Sequence, residues 1–496
     1  VWAAAASAQQ PANSPALKRY RPDDAPALVR PYDESARLWQ DFLLVKNANS
    51  GDAESQHELG LRYLFGEGFA VDTLKASLWI SKAAAQRLPS ACFNHGILLN
   101  NATGLAWDPY AAYDEFRFAA EQGVKQAQYA YGLFLLDNLA VKRDEAEARC
   151  WVKAAADSAY PPAVELFAEL DRRNVGVTPV SHEKKKAKQA TSPSAPASGL
   201  GLVLLDFHAD TSAHVNDETL LQDLASSPAD SALVSRSSPA SADDIPALDS
   251  AAVAALRAMG DAGNPDALTM LGRWLERKER PDKIQATLAY ARAIRLESTR
   301  SPELLWDLVQ SKGYFESLHA AVDAGSPDAA LAWAMLASIG FDNQITGDQA
   351  LAFLSKAGET GNAQALVELG LCAVNGQWTA KDRAAGLRYW ERAAQGGSEE
   401  ATIRLISMRL LTPAEEPPAS EAIGRLREDA RMGSTLAQLA LAYAAESGRG
   451  MPADVSYALH AYRTLAQRGS RVAYESLKRM YDTRRPAGRP EFSLER

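Results

Sequence analysis

The chain has 496 residues, 47% of them hydrophobic, and its 62 acidic residues outnumber 53 basic ones for a net charge of −9. Such a chain can bury a large core, and its length favours more than one domain. An acidic chain with no Lys/Arg-dense array lacks the electrostatic footprint of a nucleic-acid binder, and no apolar run of about 18 residues is present to span a membrane.

The stretch Val1–Gln10 reads VWAAAASAQQ. Ala6 and Ala8 flank Ser7 in the A-x-A pattern that ends a secretory signal peptide, which predicts a periplasmic protein. An Ala-rich terminus on a cytoplasmic protein is the alternative. Residues 1–33 are assigned to this remnant and a flexible N-terminus.

Beyond it, glycine recurs with a period of 36, at Gly325, Gly361, Gly397, Gly433 and Gly469, and at Gly51 and Gly123 with Arg87 and Ala159 in phase. Small residues stand four places after these markers, from Ser55, Ala91 and Ala127 to Ala437 and Ala473, and again nine places after at Gly60, Gly96, Gly132 and Gly370. Fixed-period self-similarity predicts a solenoid whose repeats bury their apolar faces only against neighbours. Each repeat reads as two helices, as in Gln126–Leu136 and Ala148–Ala156. Paired alanines close the second helix behind an aromatic: Trp79 before Ala83-Ala84, Phe116 before Ala119-Ala120, Trp151 before Ala154-Ala155, Trp390 before Ala393-Ala394. The aromatic is expected to fill the space between helices that the small residues leave open. The marker glycine then ends the helix, since it takes a left-handed conformation without steric cost.

The run Ser55, Leu59-Gly60, Tyr63, Gly66, Gly68, Asp72, Lys75-Ala76, Trp79, Ala83-Ala84 resembles the Sel-one-like repeat, a relative of the tetratricopeptide repeat. The repeat at Ala365, Leu369-Gly370, Asn375-Gly376, Asp382, Trp390, Ala393-Ala394, Gly397 is similar to the same pattern. The connections near 101–108 and 407–418 depart from its glycine loop. The resemblance implies an all-α fold and a non-catalytic adaptor without a cofactor. It also implies work in envelope assembly, secretion, exopolysaccharide export or signalling.

The first array is expected over residues 34–170, opening with a lead helix at Ser35–Lys46. Residues 171–249 break the period and are rich in Ser, Ala, Pro and Asp, as a disordered linker is. A flexible coil of that length spans about 50 Å. The second array is expected over 250–482, with Arg300–Ala324 as a shortened repeat joined at Gly313, and 483–496 as a polar tail.

Partner contacts are expected from first-helix positions on the concave faces, which in families of this shape hold peptides or partner helices. Polar residues seven places after the marker, Glu58, Asn94, Glu368 and Arg404, with Arg62 and Arg273, line that groove on this reading. Plain solvation of a helix face is the alternative. In the linker, Leu200–Phe207 is the one hydrophobic run, and Leu202, Val203, Leu204, Leu205 and Phe207 are read as a segment that docks on an array or a partner. That supports a second reading, a regulator whose docked linker a partner releases. A third is a metal-dependent enzyme built on Asp206, His208, Asp210 and His214, although carboxylates and imidazoles in a linker lack the rigid surround a metal site needs. No phosphate loop, nucleophile triad or helical His-Glu-x-x-His occurs. His57 and His95 read as helix-face residues with ordinary partners, and Cys92, Cys150 and Cys372 as buried free thiols.

Overall fold

A computed structural model describes residues 19–20, 34–173, 204–205, 248, 250–342, 344–412 and 416–494. The protein is all-α, with twenty-two helices among the described residues. It divides into two compact units. One holds the described residues up to 205 together with 476–494, the other those from 248 to 475.

In the first unit the helices are α1 (Glu34–Asn49), α2 (Ala53–Phe65), α3 (Thr73–Ala85), α4 (Pro89–Asn101), α5 (Pro109–Glu121), α6 (Lys125–Asp137), α7 (Glu145–Asp157) and α8 (Pro161–Arg173). In the second they are α9 (Ser250–Asp261), α10 (Pro265–Arg277), α11 (Lys283–Arg295), α12 (Ser301–Gln310), α13 (Tyr314–Asp323), α14 (Pro327–Ser338) and α15 (Gly347–Glu359). There follow α16 (Ala363–Asn375), α17 (Arg383–Gln395), α18 (Glu399–Leu411), α19 (Ser420–Arg431), α20 (Thr435–Ser447) and α21 (Val455–Gln467). The boundary between units falls inside α22 (Arg471–Arg484), and a 3-10 turn follows at Pro490–Phe492. The shortened repeat is α12 and α13, joined at Gly313 with φ +76°.

Each repeat is built by the same local chemistry. The marker is left-handed whether it is glycine (Gly123, φ +87°) or not (Arg87, +61°; Ala159, +54°; Glu297, +70°). Second helices open on an aspartate, at Asp72, Asp108, Asp144, Asp282, Asp382 and Asp454, whose carboxylate accepts a backbone N–H of the first turn. Such a cap contributes about 1 kcal/mol. The same aspartate donates its own N–H to a carbonyl late in the preceding helix, as from Asp382 to Ala373 at 2.8 Å, which fixes the helix-to-helix loop.

The small residue nine places after the marker lies under one large side chain of the second helix. Gly60 faces Ile80, Gly96 faces Phe116, Gly132 faces Val152, Gly272 faces Tyr290 and Gly370 faces Trp390. Phe116 and Trp390 thus fill the inter-helix space as the sequence suggests, and both are buried. Trp79 and Trp151 do not. They stand one residue earlier in the repeat than Phe116 and Trp390, a rotation of about 100° on a helix, and they remain half-buried while Ile80 and Val152 take the core position. Cys92 and Cys372 are buried, but Cys150 is exposed on the outer side of α7, and all three thiols are free.

The second unit closes on itself. Asn264 donates from Nδ2 to the Met432 carbonyl at 2.9 Å, and one repeat further on Glu297 accepts from Val472 N–H at 3.2 Å and from the Ser470 hydroxyl. Both contacts join left-handed positions five repeats apart, Gly263 with Gly433 and Glu297 with Gly469, counted through Gly325, Gly361 and Gly397. The approach is close enough that a Cβ at Gly433 would stand 2.2 Å from Asn264, and one at Gly469 2.4 Å from Thr299. Leu436 packs on Leu268, Ala293 and Leu296 at the same junction.

In the first unit, residues 483–494 are not a loose polar tail. Phe492 is wholly buried, and Arg485 and Arg489 bond to the repeats. The linker lies outside the described residues apart from 204–205 and 248. Leu204–Leu205 pairs antiparallel with Arg19–Tyr20 and lies beside α4.

Candidate interaction surfaces

In the first unit, α2 carries Glu58 and Arg62 one turn apart, so Arg62 Nε reaches Glu58 Oε1 at 2.9 Å, and its other arm pairs with Asp41 of α1. Glu58 is buried and Arg62 largely so. Asn94 of α4 is fully buried with its Nδ2 2.7 Å from His57 Nε2. Glu58 and Arg62 are thus paired with each other, while Asn94 meets α2 through His57, the residue before Glu58. His95, one residue on, faces the other way and meets Glu115 of α5 at 3.1 Å.

In the second unit the corresponding residues are drawn into a charge cluster inside the fold. Glu368 of α16 pairs with Arg295, and Arg404 of α18 donates to Glu400 from Nη2 at 2.9 Å and Nε at 3.1 Å. Arg295, the last residue of α11, reaches across to both helices and holds Glu400 through Nη2 at 2.7 and 2.8 Å. Arg292 adds a contact at 3.7 Å. Glu400 is 1% exposed. Burial alone would raise its carboxyl pKa, but Arg295, Arg404 and Arg292 overcome that and hold it well below the carboxylate range. A carboxylate held this way stays ionised near neutrality, and the cluster ties α11 to α16 and α18. A partner would have to displace Arg295 to reach Glu368. Arg273 of α10 stands apart from this cluster, half-buried, its pKa lowered by burial.

Arg295, Arg292 and Glu400 were not legible as site residues. Arg295 and Glu400 lie 105 positions apart, and their meeting depends on the curvature accumulated over three repeats. Leu204 and Leu205 have the backbone placement given above; Leu202, Val203 and Phe207, like Asp206, His208, Asp210 and His214, lie outside the described residues. Among the described residues, no group of three His, Cys, Asp or Glu is placed to hold a metal ion, and no helix is long and apolar enough to cross a membrane.

One further acidic residue is unsettled electrostatically. Asp429 of α19 is buried beside Glu399, and burial, with the Glu399 charge, pushes its pKa up to about 7 against the pull of Arg425. A carboxyl whose folded pKa exceeds its unfolded value binds protons more tightly in the folded state. Stability is therefore lost as pH rises from about 4 through about 7. Asp429→Asn is expected to gain about 1–2 kcal/mol at pH 8 and to flatten that slope. Urea midpoints of both proteins across this range check it, and equal midpoints at pH 8 would refute it.

Helix pairs stacked at a 36-residue register, shortened at α12 and α13, define an α-solenoid repeat protein. The Sel1 repeat model matches residues 53–88, 89–124, 125–160, 363–398 and 435–470. The chain belongs to the Sel1 repeat proteins, and the five matched repeats include Gly60 over Ile80 and Gly370 over Trp390. It is 28% identical over 159 residues to the uncharacterized protein NMB1327 of Neisseria meningitidis, covering 31% of this chain and 33% of that one. It is 28% identical over 154 residues to the chitin synthase regulator SKT5 of Malassezia restricta, covering 30% of this chain and 11% of that one. The chain thus spans a third or less of these relatives. Among solved structures it is similar to c5321, a protective antigen of uropathogenic Escherichia coli with an SLR fold. The identity is 20% and the TM-score 0.30, over 88% of this chain and 83% of that one. A Sel1 repeat protein from Oxalobacter formigenes is 30% identical, with TM-score 0.25, over 27% of this chain and 98% of that one.

Proposed function

We propose that the chain is a non-catalytic scaffold that gathers other proteins of the bacterial envelope, in secretion or exopolysaccharide export. The observation that supports it is the Sel1 register itself, since these repeats form an interaction architecture. Of the expected contact residues, the partly exposed Arg62 and Arg273 are assigned to partner contact, whereas Glu58 and Asn94 are buried and act from within the fold. Glu368 and Arg404 act from within the fold, by keeping the second unit closed. The periplasmic assignment rests on Ala6-Ser7-Ala8.

In-cell cross-linking with fractionation of the envelope tests this reading. A reproducible set of envelope proteins, weakened when Arg62 or Arg273 is replaced by glutamate, is expected. Recovery of the protein in the cytoplasm without cross-linked partners would refute it.

A second reading is favoured by the strand pairing of Leu204–Leu205 beside α4. Here the linker segment docks on the first array and a partner releases it. Deleting residues 200–207 is expected to speed amide exchange in α4. Unchanged exchange would dismiss it.

A further inference from the structure

The repeats of the first unit hold a short segment of the same chain in the manner of a bound peptide. Phe492 is wholly buried with its ring edge-on to Tyr110 at 4.7 Å and Tyr113 at 5.4 Å, both on α5. Arg489 grips Asp114 with two parallel bonds, Nη1 to Oδ2 at 2.6 Å and Nη2 to Oδ1 at 2.9 Å, the bidentate arrangement that fixes direction as well as charge. Arg485 donates to the carbonyls of Leu139 and Ala140, in the loop after α6, at 2.8 and 2.9 Å. Arg484 donates to the Trp107 carbonyl at 2.9 Å.

The determinants are local to a few residues. In a 3-10 turn, side chains three apart eclipse one another, and Pro490–Phe492 is such a turn. Arg489 and Phe492 consequently present one face, with the guanidinium 4.3 Å over the ring. The turn is separated from α22 by Gly488, left-handed at φ +85° with nothing within 4 Å of where a Cβ would stand. An aromatic anchor and a bidentate arginine on one short turn make a transferable recognition unit, and the repeats supply its complement.

We propose that Trp107, Tyr110, Tyr113 and Asp114, with the carbonyls of Leu139 and Ala140, form a peptide-recognition site. The chain's own segment 484–492 occupies it, and a partner segment with arginine three residues before an aromatic, as in Arg-Pro-x-Phe, takes it in trans. This inference names the class of partner for the scaffold reading above and rests on it. The internal segment acts as a competitor that only a partner of better fit or higher local concentration displaces.

The test uses the full chain and a fluorescent peptide with the sequence of residues 483–494, read by anisotropy. Phe492→Ala and, separately, Arg489→Glu loosen the internal segment, the one by removing the buried ring and the other by setting a carboxylate against Asp114. Arg489 is partly exposed, so its replacement keeps the fold even where loss of Phe492 does not. Each loosened variant is expected to bind the peptide at least about tenfold more tightly than the parent chain. Adding Asp114→Asn to either is expected to weaken binding by about tenfold, and a peptide with alanine in place of phenylalanine is expected not to bind. No saturable binding to folded Arg489→Glu at about 100 μM peptide, or binding indifferent to Asp114, would overturn the proposal. Such a failure leaves the cross-linking result untouched, so the two readings fall separately.

Discussion

Replacing Arg295 by methionine is expected to destabilise the second unit by about 3–5 kcal/mol, far more than removal of a surface ion pair. The side chain satisfies two buried carboxylates at once, Glu368 and Glu400, that belong to different repeats. Methionine fills much of the volume but leaves both charges in a site from which water is excluded. Arg404 still bonds Glu400, which limits the loss, whereas Glu368 keeps only the Gln364 amide at 3.0 Å. Amide exchange in α16 and α18 is the appropriate readout, because a two-unit chain need not unfold in one step. A loss below about 1 kcal/mol would show that the cluster behaves as an ordinary surface pair.

The same cluster sets an acid limit. Glu400 has its folded pKa depressed below the unfolded value of 4.5, so its contribution is fully present above that pH and is lost as pH falls below it. Acidification is expected to release α16 and α18 in the parent chain, with a shallower dependence in Arg295→Met. Replacing Arg295, Glu368, Glu400 and Arg404 together by apolar residues of similar volume is expected to recover much of the single-variant loss, since no member of the pairs is then left unpartnered. Paired buried charges contribute little net stability against a well-packed apolar alternative.

How far the sequence alone reaches is instructive at these residues. The marker phase places Gly361 and Gly397, the start of α16 and α18, and the one-turn spacing of Glu58 and Arg62 on α2. All of this follows from contacts within one repeat or between adjacent ones, which a 36-residue period encodes directly. The period does not say what Glu368 and Arg404 face. That depends on how much each repeat rotates on the last, summed over three repeats. Small rotations set by many side chains accumulate into a curvature that brings Arg295 to Glu400, and no single residue signals it. The segment 484–492 escaped for the opposite reason. Its polar composition and two prolines match an exposed tail, and its single aromatic carries no period against which burial is read.

A one-atom test of the repeat lies at Gly370. A Cβ there would stand 2.1 Å from Trp390 Nε1 and 2.4 Å from Cδ1, inside any tolerable contact. The indole cannot simply swing aside, because it is 3% exposed and its Nε1 donates to the Val367 carbonyl at 3.2 Å. Gly370→Ala is therefore expected to destabilise by about 1–3 kcal/mol through overpacking, despite the higher helix propensity of alanine, which alone would stabilise by about 1 kcal/mol. Trp390→Ala removes the ring and is expected to destabilise by about 3–5 kcal/mol. The discriminating protein carries Gly370→Ala with Trp390→Leu, since a smaller side chain admits the new methyl group. Its loss is expected to be smaller than the sum of the two single changes, a coupling that contact between the two positions requires. Additive losses would mean that the helices part to accept the methyl. Gly60 opposite Ile80 offers the same experiment, with Ile80 Cγ1 2.6 Å and the Ala76 carbonyl oxygen 3.0 Å from the added Cβ, and a β-branched side chain stiff at χ1 gives as little room there.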